Sequence, residues 1–326
     1  MGSWFFGSCS AVAKDTKHLL EIEVRRFSPA LKIAFLQAIR DIKKSADIDL
    51  IIKALEKGDV ETIIRSLKLG PQYFGPLEEA LRASFIGGGT YKLATLPKIN
   101  PATGTTLIIR FQGRHLRAEQ IISRLAGDLI TEITAGQKDV IKKTLELALK
   151  AGRNPKTTAL DLVGRISKRT GRREGGLIGL TSQEAGWVEN YRIKLIDEDR
   201  AQDHIDRMVS RYENKTLLRR GERIARTETL SAMNAGRDEA MHQLIDSGEV
   251  SAKSVTGEWD SAGDSHVRDS HASMDGQKRP LGQPFQSPTG ALLMHPGDRG
   301  LGARAEDVLQ CRCYKKITVD WLAGVE

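Results

Sequence analysis

The chain is poor in aromatic residues, which make up 5% of its 326 residues, and in cysteine, of which it has three. So few aromatic side chains argue against a protein that stacks the bases of single-stranded nucleic acid, and favour contacts to phosphates. Three cysteines are too few for a disulfide framework, so we expect a reducing compartment. No stretch approaches the roughly 18 uninterrupted apolar residues of a membrane span. We therefore expect no membrane partner.

The first ten residues resemble a shortened export signal, because Trp4, Phe5 and Phe6 precede Cys9. A secretory signal also needs a basic segment and a longer apolar run, and neither is present here. The sequence therefore predicts neither secretion nor lipidation.

Positive charge is concentrated in the middle of the chain. Residues 136–226 hold 21 Lys and Arg against 13 Asp and Glu, an excess as large as the net charge of +8 of the whole chain. Such a surface favours a polyanionic partner, with double-stranded DNA as the candidate, whereas charges scattered over helices often serve only solubility. The residues predicted to contact DNA are the densest basic group: Arg165, Lys168, Arg169, Arg172 and Arg173.

Most of the chain before residue 249 has the apolar spacing of helices. Caps and breakers predict a helix start at Ser28-Pro29, a helix end at Gly87-Gly88-Gly89, a division at Gly136 and a further start at Thr181. Strands are predicted at Thr105–Phe111, which is rich in β-branched residues, and at Ser254–Trp259.

These elements predict an α+β fold, predominantly helical in its N-terminal and middle regions, with a small mixed C-terminal domain rich in turns. Three domains are predicted. Residues 1–112 form a helical region with a linker and a strand, and residues 113–248 form a basic helical region. Residues 249–326 form the small mixed domain, which carries the Trp, Asp, His and Cys-x-Cys motif.

Polar and ionisable residues cluster after Trp259, and others share the preceding helix with apolar residues. Exposure of Arg226 and Glu228 to water is the simpler interpretation. The alternative is a buried, hydrogen-bonded anchor, which suits a domain with little regular structure. The predicted polar network consists of Arg226, Glu228, Asn234, Trp259, Asp264, Arg268, His271, Asp275, Asp298 and Arg312. Within it, Arg268 and Arg312 are the predicted partners of Glu228, Asp264 and Asp298.

The order and spacing of several short motifs indicate a family. The motifs are Arg223-Ile224-Ala225-Arg226-Thr227-Glu228, Asn234-Ala235-Gly236-Arg237, Trp259, Asp264, Arg268, His271, Asp275-Gly276, Phe285, Pro296-Gly297-Asp298 and Cys311-Arg312-Cys313. Along residues 176–314 this pattern resembles the phage head morphogenesis family, typified by the phage Mu F-like minor head proteins.

The resemblance implies a structural protein of a tailed phage, present in few copies in the virion. It implies partners in the portal protein or the major capsid protein, a place in the head interior or at the portal vertex, and contact with packaged DNA. During assembly the protein would be in the host cytoplasm. The resemblance implies no catalytic residue and no cofactor.

A zinc site is an alternative role for the same segment. The candidate ligands are His266, His271, His295, Cys311 and Cys313. Cys-x-Cys is a less usual ligand pair than Cys-x-x-Cys, and the histidine spacings match no standard zinc pattern. The competing interpretation places the two cysteines on opposite faces of a strand that continues through Tyr314, with one cysteine simply buried.

A metal-dependent hydrolase acting on nucleic acid is the alternative function. Asp264, His271, Asp275 and Asp298 could hold a divalent cation and supply a general base. Asp residues in turns commonly serve as local caps, however. A structural role is therefore the favoured prediction.

Overall fold

The computed structural model describes residues 16–168 and 170–323, which form ten α-helices and seven β-strands. The helices are α1 (Lys17–Ser45), α2 (Ile48–Glu56), α3 (Val60–Ser66), α4 (Gly75–Ala94), α5 (Leu116–Lys150), α6 (Pro155–Val163), α7 (Ser182–Asp197), α8 (Gln202–Asp246), α9 (Asp269–Ala272) and α10 (Ala305–Val308). The strands are β1 (Arg165–Ile166), β2 (Arg173–Glu174), β3 (Val255–Asp260), β4 (Lys278–Pro280), β5 (Phe285–Gln286), β6 (Leu292–Leu293) and β7 (Tyr314–Val319). Long helices followed by short strands confirm the predicted α+β class.

The described chain divides into two compact units. Unit 1 contains residues 16–27, 81–122 and 226–323, and unit 2 contains residues 28–80 and 123–225 apart from residue 169. The boundaries fall inside the helices α1, α4, α5 and α8. The division into domains at 1–112, 113–248 and 249–326 stays a prediction.

Unit 2 has an apolar core of its own. Its buried cluster consists of Val140, Leu177, Leu180, Ala185, Val188, Leu195, Ile205 and Val209. α7 begins as predicted, because Thr181 Oγ1 accepts a hydrogen bond from Glu184 N and Glu184 Oε2 accepts one from Thr181 N. This capping box satisfies two backbone N–H groups at the start of the helix. β1 and β2 pair as a short antiparallel hairpin.

Unit 1 is built around a three-stranded antiparallel sheet in the order β4-β3-β7. β3, predicted at Ser254–Trp259 and observed one residue later, buries Val255, Gly257 and Trp259 on one face. The alternation follows from the two-residue period of a strand. Trp259 is fully buried, in an apolar cluster that includes Phe285 and Tyr314. A second small sheet pairs β5 with β6.

The glycine triplet predicted to end α4 lies inside that helix, which continues to Ala94. A Cβ atom at Gly88 would overlap the backbone of Met233 on α8, and one at Gly236 on α8 would overlap the carbonyl of Phe85. The glycines therefore permit α4 and α8 to approach closely within unit 1. This packing outweighs the weak helix propensity of glycine, which costs about 1 kcal/mol per residue.

Two other predicted helix boundaries are also wrong. Pro29 lies inside α1, and Gly136 lies inside α5. Each helix has buried apolar residues on both sides of the interruption, such as Val24 and Leu31 in α1 and Ile133 and Val140 in α5. Burial on both sides maintains the helix through a residue that would end an isolated one. Among the described residues, no helix has the length and apolarity needed to cross a membrane.

The predicted strand at Thr105–Phe111 is reduced to one bridge, between Ile99 and Thr106. Ile108 in this segment is 76% exposed. A β-branched run forms a strand only where a neighbouring strand and a buried face are available. Here the strand pairing does not continue beyond the single bridge.

Candidate functional site

The segment of α8 that belongs to unit 1 carries an unusual number of buried polar residues. They are Thr227, Glu228, Thr229, Ser231, Asn234, Arg237, Asp238 and Glu239. Buried polar groups must be paired to be tolerated. The interpretation of Glu228 as a side chain reaching into water is therefore wrong: it is 6% exposed.

Asn234 and Arg237 join α8 to the C-terminal segment. Asn234 Nδ2 donates to the carbonyl of Pro296 at 3.1 Å, and Asn234 Oδ1 accepts from Arg237 Nη1 at 2.9 Å. Arg237 Nη2 donates to the Tyr314 hydroxyl at 3.0 Å and to the Lys315 carbonyl at 2.9 Å. Arg237 is fully buried, so this one guanidinium links α8 to the start of β7.

A buried ion pair lies beside it. Lys315 Nζ donates to Asp238 Oδ2 at 2.7 Å and to the Met294 carbonyl at 3.0 Å. Arg237, Asp238 and Lys315 were not among the predicted site residues. The available signal was the position of Arg237, which follows Asn234 by three residues and so shares its helix face.

The remaining charged members of the predicted network on α8 have partners elsewhere in unit 1. Arg226 makes a bidentate ion pair with Glu21, at 2.8 and 2.9 Å. Burial raises the pKa of Glu21, but the hydrogen bonds and charges of Arg226 and Arg25 outweigh it and lower the pKa overall. Glu228 Oε1 lies 3.2 Å from Arg299, which was not among the predicted partners.

The structure places the predicted pair Asp264 and Arg312 together, at 2.7 and 2.5 Å, with both side chains more than one third exposed. The hydrogen bonds from Arg312, and the one from the backbone of His266, lower the pKa of Asp264. Arg268 instead donates to the carbonyl of Leu309.

Two aspartates of the predicted network bind backbone N–H groups. Asp275 accepts from Ser261 N at 2.7 Å. Asp298 accepts from Met294 N and from Gly300 N, both at 2.8 Å. Asp298 thus stabilises its own turn, as acidic side chains in turn sequences commonly do, whereas Asp275 joins the end of the α9 segment to the residue that follows β3.

His271 and the Cys-x-Cys motif come together in the interior of unit 1. His271 Nδ1 lies 3.4 Å from Cys311 Sγ and 3.6 Å from Cys313 Sγ. All three residues are buried, and the Trp259 ring packs edge-on against the imidazole at 5.2 Å between centroids. Among the described residues, this is the one group of three or more His, Cys, Asp or Glu side chains with metal-binding geometry.

The interpretation of the two cysteines on opposite faces of a strand is therefore wrong. They precede β7, and residues two apart in an extended segment point to the same side. A hydrogen bond from Cys311, supported by His271, outweighs burial and lowers the pKa of the Cys313 thiol to about 5. The hydrogen bond to Cys313 and burial raise the pKa of Cys311 well above its usual range.

The other two candidate histidine ligands lie outside this group. His266 is exposed but lines the same small surface pocket as His271, Cys311 and Cys313. His295 is buried, with Nδ1 3.2 Å from the carbonyl of Pro296.

The residues predicted to contact DNA lie on and around the β1–β2 hairpin of unit 2. Lys168 and Arg172 are exposed. Arg165 binds Asp161 at 3.1 Å, and Arg173 donates to the carbonyl of Gly164 at 3.1 Å. Arg169 lies outside the described residues. A surface cleft in the same unit is lined by Gln37, Arg40, Asp41, Lys43, Lys44, Ile166, Thr170, Gly171, Arg172 and Arg173.

The α+β fold, the polar network of α8 and the Cys-x-Cys segment can be compared with known protein families. A family model described as Phage Mu protein F like protein matches residues 139–315, more than half of the chain. The chain belongs to this family. Membership supports a role in phage head morphogenesis and a place in the virion. No curated protein and no solved structure matches the chain.

Proposed function

We propose that the protein is a minor head protein of a tailed phage, which binds the portal protein or the major capsid protein in the procapsid interior. The observation that carries the proposal is the family match over residues 139–315. The matched range includes α7, α8 and the whole polar network that joins α8 to β7. A buried hydrogen-bond network of this kind stabilises a small domain that has little regular structure. A domain stabilised in this way suits a protein that docks on another protein.

The proposed contact with packaged DNA rests on the basic surface of unit 2. Lys168 and Arg172 are exposed on the hairpin, and the cleft beside it adds Arg40 and Lys44, which are exposed on α1. Exposed lysine and arginine side chains bind phosphates without regard to base sequence. Arg165 contributes less, because it is held by Asp161 and lies 3.4 Å from Asp206.

The metal-dependent hydrolase alternative draws no support from the described residues. Asp264 is paired with Arg312, while Asp275 accepts a hydrogen bond from the backbone of Ser261 and Asp298 one from the backbone of Met294. His271 faces two thiols rather than these carboxylates. A hydrolase of this type needs carboxylates gathered around a cation and a water molecule, and these residues are used elsewhere.

Chemical cross-linking of purified procapsids, followed by mass spectrometry of the linked peptides, tests the proposal. Cross-links from this chain to the portal protein or to the inner surface of the capsid shell are expected. A chain that is absent from procapsids, or linked only to the outer surface of the shell, would contradict it.

A further inference from the structure

We propose that His271, Cys311 and Cys313 bind a zinc ion through Nδ1 of the imidazole and the Sγ atoms of the two cysteines. The nitrogen-to-sulfur distances are 3.4 and 3.6 Å. In a tetrahedral site with Zn–S bonds of about 2.3 Å and Zn–N bonds of about 2.0–2.1 Å, sulfur and nitrogen lie about 3.6 Å apart. Both nitrogen-to-sulfur distances therefore match the spacing that zinc imposes, and all three ligand atoms lie within 4.8 Å of one another.

The ligand types select the metal. Two thiolates and one imidazole favour zinc over magnesium and calcium, which prefer oxygen ligands. Nδ1 of the imidazole faces the two sulfurs, so it is the ring nitrogen available to a metal ion, while the buried Nε2 makes no hydrogen bond among the described residues. With zinc at Nδ1, the imidazole is neutral and its proton lies on Nε2.

The backbone around the two cysteines is held in place before any metal binds. Arg268 donates to the Leu309 carbonyl, Gln310 N donates to Thr227 Oγ1 at 3.0 Å, and Arg312 is paired with Asp264. Gln310, next to Cys311, has a φ of +51°, in the left-handed region that non-glycine residues rarely adopt. Such strain persists where surrounding contacts fix the backbone, and it concentrates at ligand sites.

Among the described residues no fourth side chain belongs to the group, which leaves one position of the metal open to a surface pocket. His271, Cys311 and Cys313 line a small surface pocket together with His266, Val267, Arg268, Gln310 and Arg312. His266 is not within the group of ligand atoms that lie within 4.8 Å of one another. The pocket therefore leaves the fourth position of the metal accessible to solvent in the part of the chain that the structure describes.

Zinc at this position would connect the segment around α9 to the segment that leads into β7. α9 has only four residues, and the neighbouring sheets have two and three strands. Metal binding to a site that the unfolded chain lacks contributes directly to folding free energy. The inference concerns the stability of unit 1 and is independent of the proposed role in the head.

Metal analysis of the full-length protein, purified under reducing conditions without chelators or a metal-affinity column, tests the proposal. One zinc per chain is expected, either as purified or after incubation with zinc sulfate and gel filtration. Cobalt substitution should give the ultraviolet charge-transfer band of thiolate ligation and the intense visible bands of a tetrahedral site. Zinc well below one per chain after reconstitution would overturn the proposal.

Variants identify the ligands. Cys311→Ser, Cys313→Ser and His271→Ala should each lose the zinc, whereas Cys9→Ser and His266→Ala should keep it. Because the first three variants can also fail to fold, the Cys9→Ser protein, whose only thiols are Cys311 and Cys313, is titrated with an organomercurial in the presence of a zinc indicator. Release of one zinc for every two thiols blocked is expected. Full zinc retention by Cys311→Ser or Cys313→Ser, or zinc release unrelated to thiol blocking, would overturn the ligand assignment.

Discussion

The guanidinium of Arg237 lies over the ring of Tyr314, 4.7 Å from its centroid, and donates a hydrogen bond to the Tyr314 hydroxyl at 3.0 Å. Arg237→Leu should destabilise the protein by about 3–5 kcal/mol, because it leaves Asn234 Oδ1 and the Lys315 carbonyl buried without this donor. Urea unfolding followed by circular dichroism measures the loss. Arg219→Leu, at an exposed position of the same helix, is the matched control and should change stability by less than about 0.5 kcal/mol. Equal effects of the two substitutions would contradict the assigned role of Arg237.

Two helix glycines in different surroundings, one at the crossing of α4 and α8 and one on α5, should respond to alanine in opposite ways. Gly236→Ala should cost about 1–3 kcal/mol or more, because the added Cβ overlaps the carbonyl of Phe85. Gly127→Ala on α5 meets no atom within 4 Å and should stabilise the protein by about 0.4–1 kcal/mol. Thermal unfolding of the two variants checks the prediction. A Gly236→Ala protein as stable as the wild type would show that the helices do not cross so closely.

A buried acid–base pair in unit 2 predicts a pH dependence. Burial raises the pKa of Glu213 to about 7 from its ordinary value of 4.5, against the hydrogen bond from Gly176 N and the charges of Lys43 and Arg192. The folded state therefore holds a proton that the unfolded state releases between these values. This stabilising contribution is complete below pH 4.5 and is lost as the pH rises through 7.

Glu213→Gln keeps an oxygen for Gly176 N and removes the titration, so its stability relative to wild type should rise between pH 4.5 and 7. Burial also lowers the pKa of Lys43 to about 8 from 10.5, against the charge of Glu213. Wild-type stability should accordingly gain from Lys43 between pH 8 and 10.5, and Lys43→Met should lack that gain. Urea midpoints across this pH range measure both effects, and parallel curves for wild type and variants would refute the assignment.

DNA binding by unit 2 predicts a change in salt dependence. The double variant Lys168→Gln with Arg172→Gln should reduce the slope of log K against log salt by up to about 2, because each lost phosphate contact lowers it by about 0.9. Fluorescence anisotropy with labelled double-stranded DNA measures the slope. Lys138→Gln with Lys142→Gln removes equal charge from exposed positions of α5 and should leave the slope almost unchanged. The same reduction from both pairs would indicate a diffuse electrostatic effect.

Local signals in the sequence were sufficient for part of this structure. The capping box at Thr181 and the strand that ends beside Trp259 depend on neighbouring residues, and both were predicted correctly. The ends predicted at Gly87-Gly88-Gly89 and Gly136 were wrong, because the packing of distant residues overrides glycine's local preference. The sequence cannot show that α8 approaches α4 closely enough to require glycine.

The candidate site was likewise predicted only in part. The residue types of the metal group were predicted, but only the fold selects His271 from the three candidate histidines. The ion pair of Asp264 with Arg312 lies within the predicted set of partners, whereas Arg299, which lies 3.2 Å from Glu228, was not in that set. Burial of Arg237 depends on a tyrosine hydroxyl and a carbonyl almost eighty positions away, so its spacing of three from Asn234 places it on that helix face but does not show that it is buried.

The most direct test of the central claim, a minor head protein that remains in the virion, is quantitative mass spectrometry of purified virions. The account predicts this chain in every virion preparation, in a small copy number comparable to that of the portal protein and far below that of the major capsid protein. Its absence from both virions and procapsids, with abundant free protein in the infected cell, would contradict the account.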